Sequence, residues 1–383
     1  MCLDWNFNIS QSRQSFMEFI ILKEKLKNAL NIAERVGGKK SGLNILDKFL
    51  LRTIDKKQIE IKATDLDIGY TAYLPAQIEK EGEIALPIKI VNDFVSKFQE
   101  ETIRFKVKEN NLEIIGKNSY SLIPGTTTED FPIIPKTERK NKITIKFKDF
   151  QDSIERILPV LKSSELKPEL NGVYFYLNGG YLKIVTTDSF RLAEKTINSF
   201  KSSEKDLNLY IPKRIIQEVN NLDCSPESDL NIWYDENQVE FEIENNFLIS
   251  RLINLEYPKY QEIIPKDFKV EIILSYKELF EALNLSKVFA SRINEVIFEF
   301  DGKLTCLAKN ELIGENKVIL EPKTIKKEVK NFKIAFNIDF FVDGLKAVED
   351  DEIYIGFNDS EKPSLIKNPK DESFFYILMP VYV

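Results

Sequence analysis

The sequence predicts an α+β protein of three similar domains, each built from antiparallel sheet with paired helices. Three observations predict this fold class. One amphipathic helix recurs near residues 26, 150 and 279, a second recurs near 87, 212 and 337, and segments of alternating polarity lie between them. The second helix recurs every 125 residues (212 − 87 and 337 − 212). That period is the size of an independent domain and is too long for a solenoid repeat.

The two helices of each copy have different signatures. The first has apolar or small residues three and four positions apart: Leu26, Ala29 and Leu30, then Phe150, Ser153 and Ile154, then Leu279, Ala282 and Leu283. The second is expected to begin at Pro87, Pro212 and Asn337. Proline suits the first helical position because its missing N–H would have no partner there. Apolar pairs at +3 and +4 then give each second helix a buried face.

The segments between the helices are predicted to be antiparallel strands. Residues 58–63, 181–186 and 239–243 alternate apolar and polar side chains, which is typical of half-buried strands. The predicted domains cover residues 17–138, 139–265 and 266–383, after an N-terminal extension at 1–16 that we expect to be disordered or to reflect a misassigned start. The linkers are placed where proline and charge cluster, at residues 132–140 and 257–267.

Composition sets limits on the class of protein. Hydrophobic residues make up 43% of the chain and include 27 Phe, enough for three cores, and no apolar run approaches the roughly 20 residues that span a membrane. The three cysteines, Cys2, Cys224 and Cys306, are scattered and odd in number. A disulfide framework is therefore not expected, and we predict a soluble cytoplasmic protein without a membrane partner.

The residues needed for most enzyme chemistry are missing from the chain. It contains no histidine, which removes the commonest general base and a common zinc ligand, and it has no phosphate-binding loop. Asp65 and Asp67 form the one carboxylate pair worth weighing for magnesium, although such a pair is more often a solvated strand end. We therefore predict no enzyme, no catalytic residue, no metal site and no cofactor.

The placement of charge leaves two readings open. The net charge is −7, yet basic residues recur beside the apolar faces of the predicted helices. These residues are Lys23, Lys25, Lys27, Arg35, Lys89, Lys97, Arg156, Lys213, Arg214, Lys277, Lys287 and Lys346. A ring with the helices inside would have a partly basic bore suited to nucleic acid. Alternatively, these are ordinary solvated faces, because acidic residues share the same helices.

With these repeats in place, the chain resembles the bacterial DNA sliding clamp, the beta subunit of DNA polymerase III, over residues 17–383. The most specific stretches are residues 170–173, 185–193, 257–260 and 376–383, supported by 63–67 and 129–132. The resemblance implies the DNA clamp fold and a ring-forming head-to-tail homodimer. It also implies a non-enzymatic processivity factor that encircles double-stranded DNA and tethers the polymerase.

The resemblance also implies three sets of site residues. Lys40 joins the helix residues listed above, other than Lys25, as a DNA contact. The dimer interface is expected at Tyr120, Leu122 and Leu285, unless these three are core residues of their own domains. The expected partners are the DNA polymerase III catalytic subunit, the clamp loader and other proteins with a clamp-binding motif. Their peptides would enter a pocket formed by Leu170, Thr187, Ser189, Phe190, Arg191, Leu192, Pro258, Ile263, Pro363, Ile377, Met379, Pro380 and Val381.

The chain departs from the family pattern at several positions. The family commonly has Gly-His where this chain has Ser189-Phe190, often has a basic residue at the position of Glu262, and often has aromatic or basic residues where residues 167–169 stand. Two alternatives remain beside the processivity factor. One is a peptide-binding scaffold with the same three-domain body that does not encircle DNA, and the other is a magnesium-dependent enzyme built on Asp65 and Asp67.

Overall fold

A computed structural model describes residues 16–38, 43–161, 170–348 and 350–382. Within these ranges the chain forms 27 strands and six α-helices and divides into two compact units. The first unit holds the chain up to residue 138 together with 221–224 and 238–251, and the second holds 139–220, 225–237 and 252–383. The predicted domain boundaries stay predictions, and the extension at 1–16 lies outside the described residues except for Phe16.

The first unit contains two antiparallel sheets and two helices, numbered here in chain order. Its elements are β1 (Met17–Leu22), α1 (Lys23–Val36), β2 (Lys48–Asp55), β3 (Gln58–Thr64), β4 (Ile68–Pro75), β5 (Gln77–Lys80), β6 (Glu83–Pro87), α2 (Ile88–Lys97), β7 (Thr102–Lys108), β8 (Asn111–Ile115), β9 (Tyr120–Pro124), β17 (Gln238–Ile243) and β18 (Asn246–Arg251). One sheet has the order β5-β1-β7-β8-β9, and the other runs β17-β18-β4-β3-β2-β6. Helices α1 and α2 pack against each other.

The second unit contains the remaining elements. They are β10 (Asn141–Lys146), α3 (Phe147–Ile157), β11 (Gly172–Asn178), β12 (Tyr181–Thr187), β13 (Arg191–Ile197), β14 (Phe200–Ser202), β15 (Leu207–Pro212), α4 (Lys213–Asn220), β16 (Asp229–Tyr234), β19 (Val270–Ser275), α5 (Tyr276–Val288), β20 (Glu295–Phe300), β21 (Leu304–Asn310), β22 (Gly314–Leu320), β23 (Thr324–Lys327), β24 (Phe332–Asn337), α6 (Ile338–Val348), β25 (Glu352–Phe357), β26 (Ser364–Lys367) and β27 (Phe374–Leu378).

The strands of the second unit form one long sheet and two shorter groups. The long sheet has nine antiparallel strands in the order β15-β11-β12-β13-β27-β26-β25-β19-β23, and the shorter groups are β14-β10-β16 and β22-β21-β20-β24. The pairing of β13 with β27 places Leu192 opposite Ile377. Helix α3 packs against α4 and α6, and α5 packs against α6. No helix in the described ranges is long and apolar enough to cross a lipid bilayer.

The predicted first helices are confirmed as α1, α3 and α5. Their apolar positions form the buried face of each helix, and Leu26, Phe150 and Leu279 are fully buried. At α5 the N-cap Ser275 accepts a hydrogen bond from the Glu278 N–H, which satisfies one of the amides that a helix start leaves without a partner. The predicted strands at 58–63, 181–186 and 239–243 are likewise confirmed as β3, β12 and β17.

The predicted starts of the second helices need a correction. Pro87, Pro212 and Asn337 are the last residues of β6, β15 and β24, and α2, α4 and α6 each begin one residue later. Pro87 has φ −64° and ψ 115°, an extended backbone that suits a strand end as well as a helix cap. The +3 apolar position was also wrong at α2, where 55% of the Ile90 side chain is exposed and Val91 alone of that pair is buried.

The first landmark shared by the repeated copies is a turn built by side chains at Thr64-Asp65, where β3 ends. The Thr64 hydroxyl donates to the Ile68 carbonyl at 2.8 Å and accepts the Leu66 N–H at 3.0 Å. Oδ1 of the buried Asp65 accepts the N–H groups of Asp67 and Ile68 at 3.1 and 3.0 Å. The Asp65 carboxylate therefore orders the backbone between β3 and β4. This is a structural role, different from the magnesium-binding role considered in the enzyme alternative.

This turn holds Leu66 at a φ of 77°, in the left-handed region that glycine adopts with less strain. The Leu66 side chain is 51% exposed, so its removal loses little packing. We expect Leu66→Gly to raise the free energy of unfolding by about 0.5–1 kcal/mol in urea denaturation. Leu22→Gly is the matched control, since Leu22 is 53% exposed at an ordinary φ of −69° and should lose about 0.5–1 kcal/mol. Equal losses in both variants would contradict strain at Leu66.

Candidate functional site

The turn between β12 and β13 repeats the side-chain arrangement of the first landmark. The Thr187 hydroxyl donates to the Arg191 carbonyl at 2.8 Å and accepts the Ser189 N–H at 3.3 Å. Asp188 Oδ1 accepts the N–H groups of Phe190 and Arg191, both at 3.0 Å. The backbone from 187 to 191 is therefore fixed while the Phe190 side chain stays 61% exposed.

Ser189 accounts for one departure from the family pattern. Its φ of 76° lies in the left-handed region, where glycine is the residue with least strain. The glycine of the family pattern would fit this position without cost. Serine holds the same turn here because Thr187 and Asp188 supply its hydrogen bonds.

Arg191 is committed to structure. Its side chain is 3% exposed and donates to Asp188 Oδ2 at 2.8 Å, to Asp343 Oδ2 at 2.6 Å and to the Pro159 carbonyl at 2.8 Å. The guanidinium also lies 4.1 Å from the centroid of the Phe340 ring. Burial lowers the pKa of Arg191, but a neighbouring tyrosine and the two carboxylates outweigh it, and the net pKa is raised. The expected ligand-binding arginine therefore holds β13, α6 and the end of α3 together.

The C-terminal strand completes the neighbourhood of this turn. Pairing with β13 places Ile377 opposite Leu192, and the Met379 N–H donates to the Phe190 carbonyl at 2.8 Å. The Tyr376 hydroxyl donates to the Phe340 carbonyl of α6 at 2.8 Å. Residues nearly 190 positions apart in sequence thus meet at one place (377 − 192 = 185).

The segment before β19 covers one side of the sheet with tyrosines. Tyr257 stacks on Tyr174 with ring centroids 4.4 Å apart and an interplanar angle of 6°, and it meets Tyr210 edge-on at 5.0 Å. A 3-10 helix at Tyr260–Ile263 follows. Burial is the main cause that raises the pKa of both Tyr257 and Tyr260 above the ordinary tyrosine value. These phenols therefore remain neutral and anchor the segment by packing.

Together these elements form a cavity of about 1100 Å³ within the second unit. Eleven predicted pocket residues line it: Leu170, Thr187, Ser189, Phe190, Arg191, Leu192, Pro258, Ile263, Pro363, Ile377 and Met379. Pro380 and Val381 were also predicted, but they are not among the lining residues. The Val381 N–H donates instead to the Ala335 carbonyl of β24 at 2.8 Å, which directs this end of the chain to a different sheet.

Sequence reasoning missed part of the lining. The missed residues are Lys259, Tyr260, Glu262, Ile264, Pro265, Lys266, Asp267, Phe268, Lys269, Lys327, Asn358, Glu361 and Lys362. One signal was available, because the run Ile-Ile-Pro-Lys occurs at 133–136 and again at 263–266. Asn358 had no such signal: it is buried in the loop after β25, where its amide donates to the Pro363 carbonyl at 3.1 Å.

Comparison with known families identifies this architecture. Family models described as the N-terminal, central and C-terminal domains of the DNA polymerase III beta subunit match residues 17–135, 144–259 and 261–382 in turn. The chain belongs to the DNA polymerase III beta subunit family. The predicted family and the predicted three-domain α+β fold class are thereby confirmed.

Relatives in this family match nearly the whole chain in sequence and in structure. It is 26% identical to the beta sliding clamp of Staphylococcus epidermidis, covering 95% of this chain and 99% of the relative, and 25% identical to that of Bacillus subtilis with the same coverage. The solved beta subunit of Thermotoga maritima superposes with a TM-score of 0.88 at 27% identity, covering 96% of this chain and all of that one. The predicted function as a DNA polymerase processivity factor is confirmed, and nothing in these comparisons favours the scaffold alternative.

The basic residues predicted to face DNA fall into an exposed group and a half-buried group. Lys89, Lys97, Lys277, Lys287 and Lys346 are exposed on α2, α5 and α6. Lys23, Lys27, Arg35, Arg156, Lys213 and Arg214 are half-buried. Lys40 lies outside the described residues.

Intramolecular contacts explain the half-buried group. Lys23 lies 3.3 Å from Glu24 and donates to the Phe98 carbonyl at 3.4 Å, and Lys27 lies 3.9 Å from the same carboxylate. Arg156 lies 3.9 Å from Asp371. Exposed Lys287 also has a carboxylate partner, in the next helix. The predicted basic faces are thus partly neutralised within the chain, which would weaken any contact with phosphate.

The predicted dimer residues are exposed. Tyr120 and Leu122 are 62% and 52% exposed on β9, the terminal strand of the five-stranded sheet in the first unit. Leu285 is 55% exposed on α5 in the second unit. The alternative that these three are core residues of their own domains is therefore wrong.

Replacing the buried arginine should unfold the wall of the cavity. Arg191→Met would leave Asp188 and Asp343 without their common partner, and we expect a loss of about 3–5 kcal/mol in free energy of unfolding, measured by urea denaturation. Lys303→Met is the control, because it breaks an ion pair with Glu321 that is largely exposed on both sides, and it should change stability little. Similar small effects in both variants would show that Arg191 does not hold the elements together.

Proposed function

We propose that two copies of the chain join head to tail into a closed ring that encircles double-stranded DNA without a catalytic step or cofactor. The observation that carries the proposal is a pair of terminal strands with exposed apolar side chains, one in each unit. A ring around a duplex cannot leave it sideways, so it raises the local concentration of any polymerase bound to it. A cytoplasmic location, predicted from the cysteine pattern, belongs to the same proposal.

The two strand edges are β9 in the first unit and β22 in the second. Strand β22 ends the sheet β22-β21-β20-β24 and carries Ile319, 55% exposed, after a turn that exposes Leu312 and Ile313 at 95% and 59%. Exposed strand edges with apolar side chains favour pairing with another chain. Because the two edges are different surfaces, their contact is heterologous, and such contacts close a ring when the rotation fits.

The helix lysines supply the proposed contact with DNA. Five exposed lysines together with Lys40, and the half-buried cations as lesser contributors, would attract phosphate weakly and without base contacts. The net charge of −7 disfavours binding of DNA to the rest of the surface. Weak contacts of this kind suit a ring that slides.

The cavity supplies the proposed contact with partner proteins. Its apolar lining includes Leu170, Leu192, Ile377 and Met379, which suits short peptides with apolar anchors. We propose that the DNA polymerase III catalytic subunit, the clamp loader and other proteins with a clamp-binding motif insert such peptides here. The relatives are named beta sliding clamps, and we extend the role that this name describes to the present chain.

Ring closure is tested on circular DNA. The protein, assembled on nicked circles with the clamp loader of the same organism, should stay bound during gel filtration and be lost when the circle is cut. Leu122→Lys places a charge at the proposed interface, and we expect the dimer to dissociate at least about tenfold more readily in analytical ultracentrifugation. Tyr181→Lys is the control, since Tyr181 is 56% exposed on β12, which has a paired strand on each side. Equal retention on circular and linear DNA would contradict encirclement.

Peptide capture is tested with overlapping peptides that span the polymerase catalytic subunit. Ile263→Ser removes a half-exposed lining residue and should weaken the tightest peptide by about five- to thirtyfold in fluorescence anisotropy. Ile133→Ser is a matched control, because Ile133 occupies the same place in the first Ile-Ile-Pro-Lys run, is 94% exposed and does not line the cavity. If no peptide binds, or if both variants bind it equally, the cavity is not the partner site.

A further inference from the structure

A second cavity, of about 670 Å³, adjoins the first and shares Phe190 and Arg191 with it. Its other lining residues are Asp188, Asn284, Lys287, Asp339, Phe340, Val342, Asp343 and Lys346. This cavity is lined by the turn at 188–191 together with α5 and α6, and six of its ten lining residues are charged. Neither the sequence motifs nor the family resemblance assigned it a role.

The charges of the second cavity mostly neutralise one another. Arg191 binds Asp188 and Asp343, and Lys287 binds Asp339. Three cations and three carboxylates line the cavity, so its formal charge is zero (3 − 3). A ligand anion, whether phosphate or carboxylate, therefore gains little from the cavity as a whole.

Lys346 is the exception among the cations of this lining. It is exposed, its ammonium lies 5.9 Å from the Phe280 ring centroid, and no ion pair joins it to a carboxylate of the described residues. It also lines a smaller cavity, of about 170 Å³, with Asp152 and Glu155. An ammonium that lies over an aromatic ring beside a cavity can still donate hydrogen bonds to a carboxylate of a ligand.

Phe190 forms the boundary between the two cavities. Its N–H is bound by Asp188, its carbonyl by the Met379 N–H, and its ring lies 6.3 Å from Phe340. The backbone is thus fixed while most of the ring faces solvent. An exposed apolar ring at this place gives a bound peptide a surface to cross from one cavity to the other.

We propose that the second cavity extends the peptide site: a partner segment anchored in the first cavity crosses the Phe190 ring and places an acidic side chain beside Lys346. This inference rests on the proposed capture of peptides. Continuity of the lining and the aromatic boundary favour a peptide as the occupant. Lys346, counted above among the proposed DNA contacts, would then also serve partner recognition.

The test uses the full-length protein and the tightest polymerase peptide from the overlapping set. That peptide is extended at either end with a short serine linker that carries one Glu, and matched peptides carry Gln instead. We expect the Glu peptide to bind about two- to fivefold more tightly than the Gln peptide at low salt, at one end only. Lys346→Met should abolish that preference and leave the unextended peptide unaffected. Phe190→Ala should weaken both extended peptides.

Lys108→Met is the control, because Lys108 is an exposed lysine of the first unit that lines neither cavity. It should keep the preference for Glu. Equal binding of Glu and Gln peptides would overturn the extension while leaving peptide capture intact, whereas failure of every peptide would overturn the proposed partner site itself. If Lys346→Met weakened retention on circular DNA and left the Glu preference unchanged, the cavity would serve DNA and the inference would be wrong.

Discussion

The pairing of β27 with β13 is the constraint on which the candidate site depends. It joins the last strand of the chain to the middle of the nine-stranded sheet, and it places Ile377 and Met379 beside the turn at 188–191. The buried Arg191 then ties that turn to α6 and to the end of α3 by hydrogen bonds to two carboxylates and a carbonyl. A buried cation without partners costs free energy, so the hydrogen bonds of Arg191 hold the turn, α6 and the end of α3 in fixed positions. These elements form the walls of the cavity.

The sequence predicts the parts of this structure that follow from local pattern. The 3.6-residue period identified α1, α3 and α5 because side chains such as Leu26 and Phe150 form one buried face on each helix. Strict alternation of apolar and polar residues identified β3, β12 and β17. Thr64-Asp65 and Thr187-Asp188, which follow the same period at the ends of β3 and β12, make the same hydrogen bonds. At Asn310 only part of this pattern recurs, as its side chain accepts the Leu312 N–H.

Other features depend on contacts between distant residues, and no local pattern specifies them. Arg191 was predicted as a pocket residue, and only its contacts with Asp343 and Pro159 show that it also has a structural role. The bond from the Val381 N–H to the Ala335 carbonyl likewise joins residues far apart in sequence. The start of α2 was misplaced by one residue because proline fits both the end of a strand and the cap of a helix. Asn358 lies in the loop after β25, and Lys327 is the last residue of the terminal strand β23. Both line the cavity because the strand order of the sheet places them there, and local sequence does not specify that order.

Several residues at the proposed sites depart from the usual rules of folding. Ser189 holds a left-handed backbone without being glycine, Phe190 exposes an aromatic ring, and Tyr120 and Leu122 expose apolar groups on a terminal strand. The exposed apolar side chains cost stability in an isolated chain and become favourable if a partner covers them. Leu66 has the same left-handed backbone as Ser189, and in its copy the Ile134 side chain lies against Gly69, at 2.5 Å from where a Cβ would stand. In the second copy, Ile264 of the matching Ile-Ile-Pro-Lys run packs against the core cluster that contains Leu192, and the same run lines the cavity. Both copies thus place this run beside the strand that follows their turn.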